Sequence, residues 1–437
     1  MAGNDRGGAA KVAWDEGLAA TAGAFTRPSL AIFTTLLTGW VLAPGRRTIT
    51  AMIGAADPAA SRAHDAYHRF VRAGAWSMTR LWRIAAVRVV ATFCPDGPVP
   101  LDLDDSLWHR SGRCVDGAGS FRDAVRSTRS TIVYATGLNL VVVTLRVLPP
   151  WGGMPIGLPV GVRLHRKGGP STHDQAVEMI TELASWLPER SLLLCADGAY
   201  APLIGRALPR THVISRLRRD AALFEAAPPH TNRRGRPRTK GARLADVVTL
   251  AGEAPAREWA EVTIDCRGRA VRSLVWSRPV LWHGVDPHNL VSLVVVKDPT
   301  ARQPLDLFVC SDTEKGAPDV ASHYSGRWSI ECVFRDAKQV LGAEGPQSWK
   351  GVGPERAAAL SLWLMTAVWA WYIPTYGTTR TWKVRPWYSA KATPSFLDAL
   401  AALRRVLWAD RITTMSSSPL ESEKFTDVLL DVLATAA

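Results

Sequence analysis

The chain lacks the covalent and membrane-directed features that would place it outside a reducing compartment. Its six cysteines, Cys94, Cys114, Cys195, Cys266, Cys310 and Cys332, are scattered, and no two have C-x-x-C spacing. That excludes a zinc knuckle. A chain of 437 residues buries enough core to need no disulfides, so the reading is a reducing, cytoplasmic protein. The N-terminal MAGNDRGGAAK has no apolar core of a secretory signal. Long apolar runs are scarce too. The longest, Ala357 to Ile373, stops about one turn short of a comfortable membrane span. It follows Glu355 and Arg356 without a basic cluster, so it reads as a buried helix. No internal repeat and no basic amphipathic helix stand out, which argues against a membrane partner. Acid is in short supply as well: 39 Asp and Glu face 53 Lys and Arg, a net charge of +14. Such an excess calls for a polyanionic partner, and nucleic acid fits best.

What is present suits a soluble chain of two or three domains, with 47% hydrophobic residues. The positive charge is concentrated. Eleven Lys and Arg lie between Arg206 and Arg243 against only Asp220 and Glu225, with Gly and Pro interleaved. Within that stretch Arg233-Arg234-Gly235-Arg236-Pro237-Arg238 resembles an AT-hook core, in which Arg234 and Arg236 would enter a narrow minor groove. A flexible basic loop touching any phosphate backbone is the plainer alternative and the preferred one. Either way Arg234 and Arg236 are candidate DNA contacts.

Periodicity divides the rest. Residues 1 to about 24 are rich in Ala and Gly and are expected to be disordered at the start. Helices are expected from Ser29 to Leu42, about Pro58 to Ala73 and Ser77 to Val90. With Arg46, Arg47, Arg69, Arg72, Arg80, Arg83 and Arg88 they would make a helical, DNA-binding domain over residues 1–95, or else an ordinary helical domain. After a Pro/Gly linker the character changes to strands at Val99–Asp104, Ser130–Ala135 and Asn139–Leu148. A helix follows at His173–Leu187, then a strand at Leu192–Ala196, a helix at Tyr200–Leu208 and a strand at His212–Leu217. This is an α/β pattern with a mixed sheet. Residues 218–310 read as a β-rich insertion carrying the basic loop, with strands at Glu261–Cys266, Val271–Trp276 and Leu290–Val296. Trp259, Trp276 and Trp282 there read as core residues rather than as platforms for an extruded base. The α/β domain, begun over 96–217, resumes over 311–380. Residues 381–437 hold a last helix from Thr393-Pro394, with a loose Ser-rich stretch at Met415 to Glu423.

Two acidic sites fall at strand ends. In Leu101-Asp102-Leu103-Asp104-Asp105-Ser106 the leucines point to one face and Asp102 and Asp104 to the other. Carboxylates so close repel each other, and a divalent cation would relieve them, although solvated acids at a strand end are common. Leu192 to Asp197-Gly198 is an apolar run ending in an acid and a turn. A third site is more telling. Tyr324 to Lys338 reads as one helix, on which Arg327, Glu331, Arg335 and Lys338 step by four, four and three residues along one face. A carboxylate flanked by three cations suits a metal beside a phosphate; an exposed salt-bridge ladder is the alternative.

Tyr324, Arg327, Glu331 and Lys338 have the spacing Tyr, two residues, Arg, three residues, Glu, six residues, Lys. In this they resemble the DDE transposases of bacterial insertion sequences. Asp104-Asp105-Ser106 is similar to that family's first motif, with Ser in place of Thr, and Asp197-Gly198-Ala199-Tyr200 to its second. The resemblance covers about residues 99 to 375 and implies a ribonuclease-H-like sheet interrupted by the β-rich insertion. It implies that Asp104, Asp197 and Glu331 are catalytic and hold two Mg²⁺, for which Mn²⁺ may substitute, with Asp102 and Asp105 competing for the first position. Tyr324, Arg327 and Lys338 would contact phosphates near the cleaved end; Arg335 joins them from helix geometry alone. The implied activity is cleavage of transposon-end DNA and strand transfer into target DNA, by a homodimer on double-stranded DNA. A metal-dependent nuclease without strand transfer, or an inactive DNA-binding regulator, are the competing functions.

Overall fold

The computed structural model describes residues 2–57, 59–112, 114–128, 130–229, 238–300, 302–415 and 430. The expected minor-groove residues Arg234 and Arg236, and nearly all of the Ser-rich stretch, lie outside them.

The N-terminal region is helical: α1 (Ala2–Ala19), α2 (Arg27–Leu42), α3 (Ile49–Ala56), α4 (His64–Ala73) and α5 (Met78–Phe93). The start expected to be disordered is α1 instead. Alanine favours the helix, and Ala10, Trp14 and Leu18, four residues apart, are buried on one face. The single helix expected over Pro58 to Ala73 is shorter, and α3 precedes it. Between them Asp57 accepts hydrogen bonds from Ser61 N (2.9 Å), Ser61 Oγ (2.7 Å) and Tyr67 Oη (2.9 Å).

The sheet begins with β1 (Val99–His109), β2 (Gly119–Arg122), β3 (Tyr134–Val147) and β4 (Ile156–His165). After α6 (Thr172–Trp186) come β5 (Leu192–Ala196), a 3₁₀ turn over Gly198–Gly205 and β6 (Thr211–Arg216). Next come α7 (Val247–Glu253), β7 (Ala260–Asp265), β8 (Ala270–Leu281), β9 (Leu290–Lys297) and β10 (Asp306–Cys310). Then follow α8 (Ala317–Gly326), α9 (Trp328–Gln339), α10 (Gly353–Tyr376) and α11 (Phe396–Met415).

All ten strands form one mixed sheet, in the order β2-β3-β1-β5-β6-β10-β9-β8-β7 with β4 beside β3. β1, β3 and β4 are antiparallel, and β5 and β6 run parallel to β1. β7 to β10 extend the same sheet, joining it where β10 pairs antiparallel to β6. The expected strand at Ser130–Ala135 survives only as the first residues of β3, and β4 is an addition to the expected order.

Alternation decides which side chains face which layer. In β5, Leu192, Leu194 and Ala196 join the larger core, while Leu193 and Cys195 join a second core with Val320 and Ala321 of α8. The larger core is continuous with the N-terminal helices. Phe33 packs edge-on against Trp363 of α10 (5.2 Å between centroids), and Trp371 Nε1 donates to Ala10 O (2.8 Å). α10 is the one helix among the described residues long and apolar enough to cross a membrane, and 83% of that apolar window is buried inside the protein. Its expected role as a core helix stands.

Candidate active site

The run read as one helix from Tyr324 to Lys338 is two helices. α8 ends at Gly326 and α9 starts at Trp328, with Arg327 at the junction (φ −54°, ψ −25°). Tight i→i+3 bonds hold the corner: Arg327 N to Tyr324 O (3.1 Å) and Ile330 N to Arg327 O (3.0 Å). Two glycines let these helices seat closely. A Cβ on Gly157 of β4 would lie 2.9 Å from Val333 Cγ2 of α9, and one on Gly326 2.9 Å from Arg146 Nη1. Ile330, Val333, Phe334 and Ala337 form the buried face of α9.

Three carboxylates compete on β1, and their surroundings separate them. Asp102 is fully buried. It receives Arg146 Nε (3.1 Å) and Nη2 from β3, and Ser329 Oγ (2.8 Å) from the first turn of α9. Arg146 Nη1 also donates to His323 Nδ1 of α8 (3.4 Å). Burial works against the charge of Arg146, but Asp102 more than offsets it and the guanidinium pKa is raised. Burial and the Arg146 charge lower His323 to about 4, which keeps it neutral as an acceptor. Asp102 is thus a structural anion tying β1, β3, α8 and α9 together. Asp105 points elsewhere and accepts from Tyr200 Oη (2.9 Å) of the turn after β5.

Asp104 remains. Its Oδ2 accepts from Arg327 Nη1 (2.6 Å), and Arg327 Nη2 reaches Glu331 Oε1 (3.5 Å). The Asp104 carboxyl is pushed up to about 7, first by burial and then by the neighbouring charges of Glu331 and Asp105, against the pull of Arg327. Asp197 lies alongside. The parallel register of β1 and β5 runs Asp102↔Cys195 and Leu103↔Ala196, and the next residues on the two strands are Asp104 and Asp197. Neighbouring strands lie about 4.8 Å apart. Asp197 makes no capping hydrogen bond with its side chain, and its charge helps raise the pKa of Arg327. One guanidinium therefore serves Asp104 and Glu331 directly and feels Asp197. Among the described residues no three His, Cys, Asp or Glu side chains close into a metal-ligating cluster. The donor set is nonetheless all carboxylate, and Asp104 is buried with the charges of Glu331 and Asp105 near it; both fit a hard divalent cation.

The expected phosphate contacts divide. Lys338 Nζ donates to Ser106 Oγ (2.9 Å) and Leu107 O (2.8 Å), 4.9 Å from the centre of the Trp108 ring. Tyr324 packs on Phe308 (4.6 Å between centroids), with Arg327 5.6 Å from its ring, and burial pushes its hydroxyl up to about 12. Arg335 is exposed, pairs with Asp336 (2.9 Å) and lines a cleft on another side of α9. Of the N-terminal arginines, Arg69, Arg72, Arg80, Arg83 and Arg88 are exposed, whereas Arg47 is buried and donates to Gly45 O, which removes it as a DNA contact. Trp276 is buried in the core, with Trp259 and Trp282 packed against it. Sequence reasoning missed Arg146, Ser329 and Tyr200. Only Tyr200 left a trace there, as part of the second motif.

An acid pair at the ends of two parallel strands, beside a helix that carries a third acid and a cation, suits a hard cation held next to a phosphate. A family model described as DDE superfamily endonuclease matches residues 23–281, more than half of the chain, and the chain belongs to that family. The matched span includes Asp104 and Asp197; Glu331 lies beyond it. Among curated proteins none matches.

Proposed function

We propose that the chain is a DNA transposase, in which Asp104, Asp197 and Glu331 hold divalent metal, Mg²⁺ or in its place Mn²⁺, for cleavage and joining of transposon-end DNA. The observation that carries this reading is the link from Asp104 through Arg327 to Glu331, with Asp197 beside Asp104 on the next strand. What a pair of such ions supplies when bound is stabilisation of the attacking and leaving oxygens of a phosphodiester. The protein's part is to hold three carboxylates at that place. Asp104, pushed up to about 7 in the metal-free chain, would have to be deprotonated to hold a cation. Arg327, which pairs with these acids in the metal-free chain, would then be free to bind a phosphate oxygen through its forked donors. Tyr324 and Lys338 hold phosphates near the cleaved bond, and Arg335 meets the backbone further along.

Beyond the site, the exposed arginines of residues 1–95 and the basic loop with Arg234 and Arg236 bind duplex DNA, in a homodimer that brings two ends together. Residues 96–217 and 311–380 form the catalytic domain, 218–310 the insertion and 381–437 the C-terminal region. The setting is the bacterial cytoplasm at the nucleoid.

The test is incubation of the purified chain with its element's terminal DNA and a supercoiled plasmid, with and without Mg²⁺. Cleaved ends joined to the plasmid, absent from Glu331→Ala, are expected. Nicks without joined products point to a nuclease that lacks strand transfer. Binding without metal-dependent cleavage under any condition would overturn the catalytic reading in favour of a DNA-binding regulator.

A further inference from the structure

Between α10 and α11 the chain runs exposed through Arg380, Lys383, Arg385, Trp387 and Tyr388, with Trp382 half-buried among them. No acid occurs from Arg356 to Leu397. Trp387 is 80% and Tyr388 58% exposed, unusual for aromatic rings of this size. Cations sit over the rings: Arg385 lies 5.9 Å from the centre of Trp387 and Arg380 5.5 Å from that of Trp382. Arg380 and Arg385 have no acidic partner among the described residues. The segment is not loose at its base: Tyr372 and Thr381 hydrogen bond through their hydroxyls (2.6 Å), and Lys391 pairs with Asp398 at the start of α11.

Tyr388 also forms one wall of a cleft of roughly 400 Å³ between this segment and α9, with Trp151 and Trp369 further in and Cys332 and Arg335 on the helix. Arg335 follows Glu331 by four residues, about 6 Å along α9. Arg335 thus stands between the acidic site on one side of α9 and this cleft on another, with Tyr388 and Lys391 of the aromatic segment also lining the cleft.

We propose that residues 380–391 and this cleft form a platform for an unpaired stretch of the DNA substrate. The pattern of the side chains separates single strand from duplex. Phosphates need only the cations, and both forms supply them. Exposed rings interleaved with cations gain from stacking on base faces, which a duplex keeps covered and an unpaired strand presents. Charge complementarity points the same way: a polyanion suits a segment with no acid of its own. The proposal rests on the reading of the chain as a DNA-acting enzyme. It is measured by binding without divalent metal, so it can fail while cleavage stands, and the reverse.

The test is fluorescence anisotropy of the full chain with a labelled oligothymidylate and with a duplex of equal length, in EDTA at moderate salt. Trp387→Ala with Tyr388→Ala is expected to weaken single-strand binding at least about tenfold and duplex binding less than about twofold. Trp387→Phe with Tyr388→Phe keeps ring faces and is expected to retain wild-type affinity. Equal losses on both DNAs, no loss on either, or a loss with the Phe pair as large as with the Ala pair would overturn the proposal. So would a fall in the sedimentation mass of the Ala variant with DNA binding intact, which would make these rings a protein–protein contact.

Discussion

Replacing Arg146 with methionine tests what holds the two site helices to the sheet. Arg146 and Asp102 are both buried, and the arginine makes two of the three hydrogen bonds that reach the carboxylate; Ser329 makes the other. Without the guanidinium, a charged group in a dry layer keeps one hydroxyl. Removing one partner of a buried pair costs roughly 3–5 kcal/mol, because the survivor stays desolvated and unpaired. Replacing both by apolar residues of similar size often costs little. Arg146→Met is therefore expected to lower the melting temperature by about 3–5 °C, since the unfolding entropy of a chain of this length gives roughly 1 °C per kcal/mol. The double variant Asp102→Leu, Arg146→Met should recover at least half of the loss. Thermal unfolding followed by circular dichroism at neutral pH, on the two single variants and the double, gives the coupling directly. Losses that add across the pair, or an Arg146→Met protein that melts within a degree or two of wild type, would refute the reasoning. The pair would then be a bystander, with apolar packing alone seating α8 and α9.

Two more predictions bear on the acidic site. Asp104 ordinarily titrates near 3.8 and is pushed to about 7 in the fold. Between those values the folded metal-free chain binds a proton that the unfolded chain lacks, so stability falls as pH rises from about 4 to about 7. Asp104→Asn should flatten that slope while abolishing cleavage, and urea midpoints across this range that run parallel for the two proteins would count against it. Lys338→Met should reduce the dependence of DNA affinity on salt by about one ion, as loss of one phosphate contact does. An unchanged slope with a lower unfolding midpoint would make Lys338 a strut between α9 and β1, held by Ser106 and Leu107.

The parts of this site that were legible in the sequence are those that local pattern dictates. The alternation of Leu101 and Leu103 with Asp102 and Asp104 gave the faces of β1 correctly, because a strand's period fixes them whatever packs on top. The apolar run ending at Asp197 gave β5 for a similar reason. β4 went unseen because helices cover it closely: Gly157 and Gly161 make room for Val333 and Met179, and Pro159 offers its carbonyl to Thr366 Oγ1 (2.6 Å). Glycine and proline there look like breakers unless the neighbours are known. The corner at Arg327 was hidden because helical spacing passes through a one-residue break almost unchanged. Asp102 looked equivalent to Asp104 because what separates them, Arg146, lies 44 residues away in sequence. Side chains matched across strands leave no local mark.

The same sheet explains how Arg327 and Glu331 come to lie beside Asp104. β10 returns antiparallel beside β6, with Val309 opposite Ser215, and the chain is then pinned by Ser311: its N–H donates to Val213 O (3.0 Å) and its Oγ accepts from Val213 N (2.9 Å). α8 starts a few residues later and runs over the core face that holds Leu193, Cys195 and Ile214, so its far end arrives above the ends of β5 and β1. The geometry at Arg327 and Glu331 thus depends on where β10 ends and not on how long the chain between β6 and β10 is. Loop-closure entropy grows only slowly with length, so the outer strands β7 and β8 and the basic loop can be long without disturbing the acids. What the arrangement cannot tolerate is a shift of register between β6 and β10, since one residue of slip would turn Val309 and Ser311 to the wrong faces and carry α8, and Glu331 after it, off the strand ends.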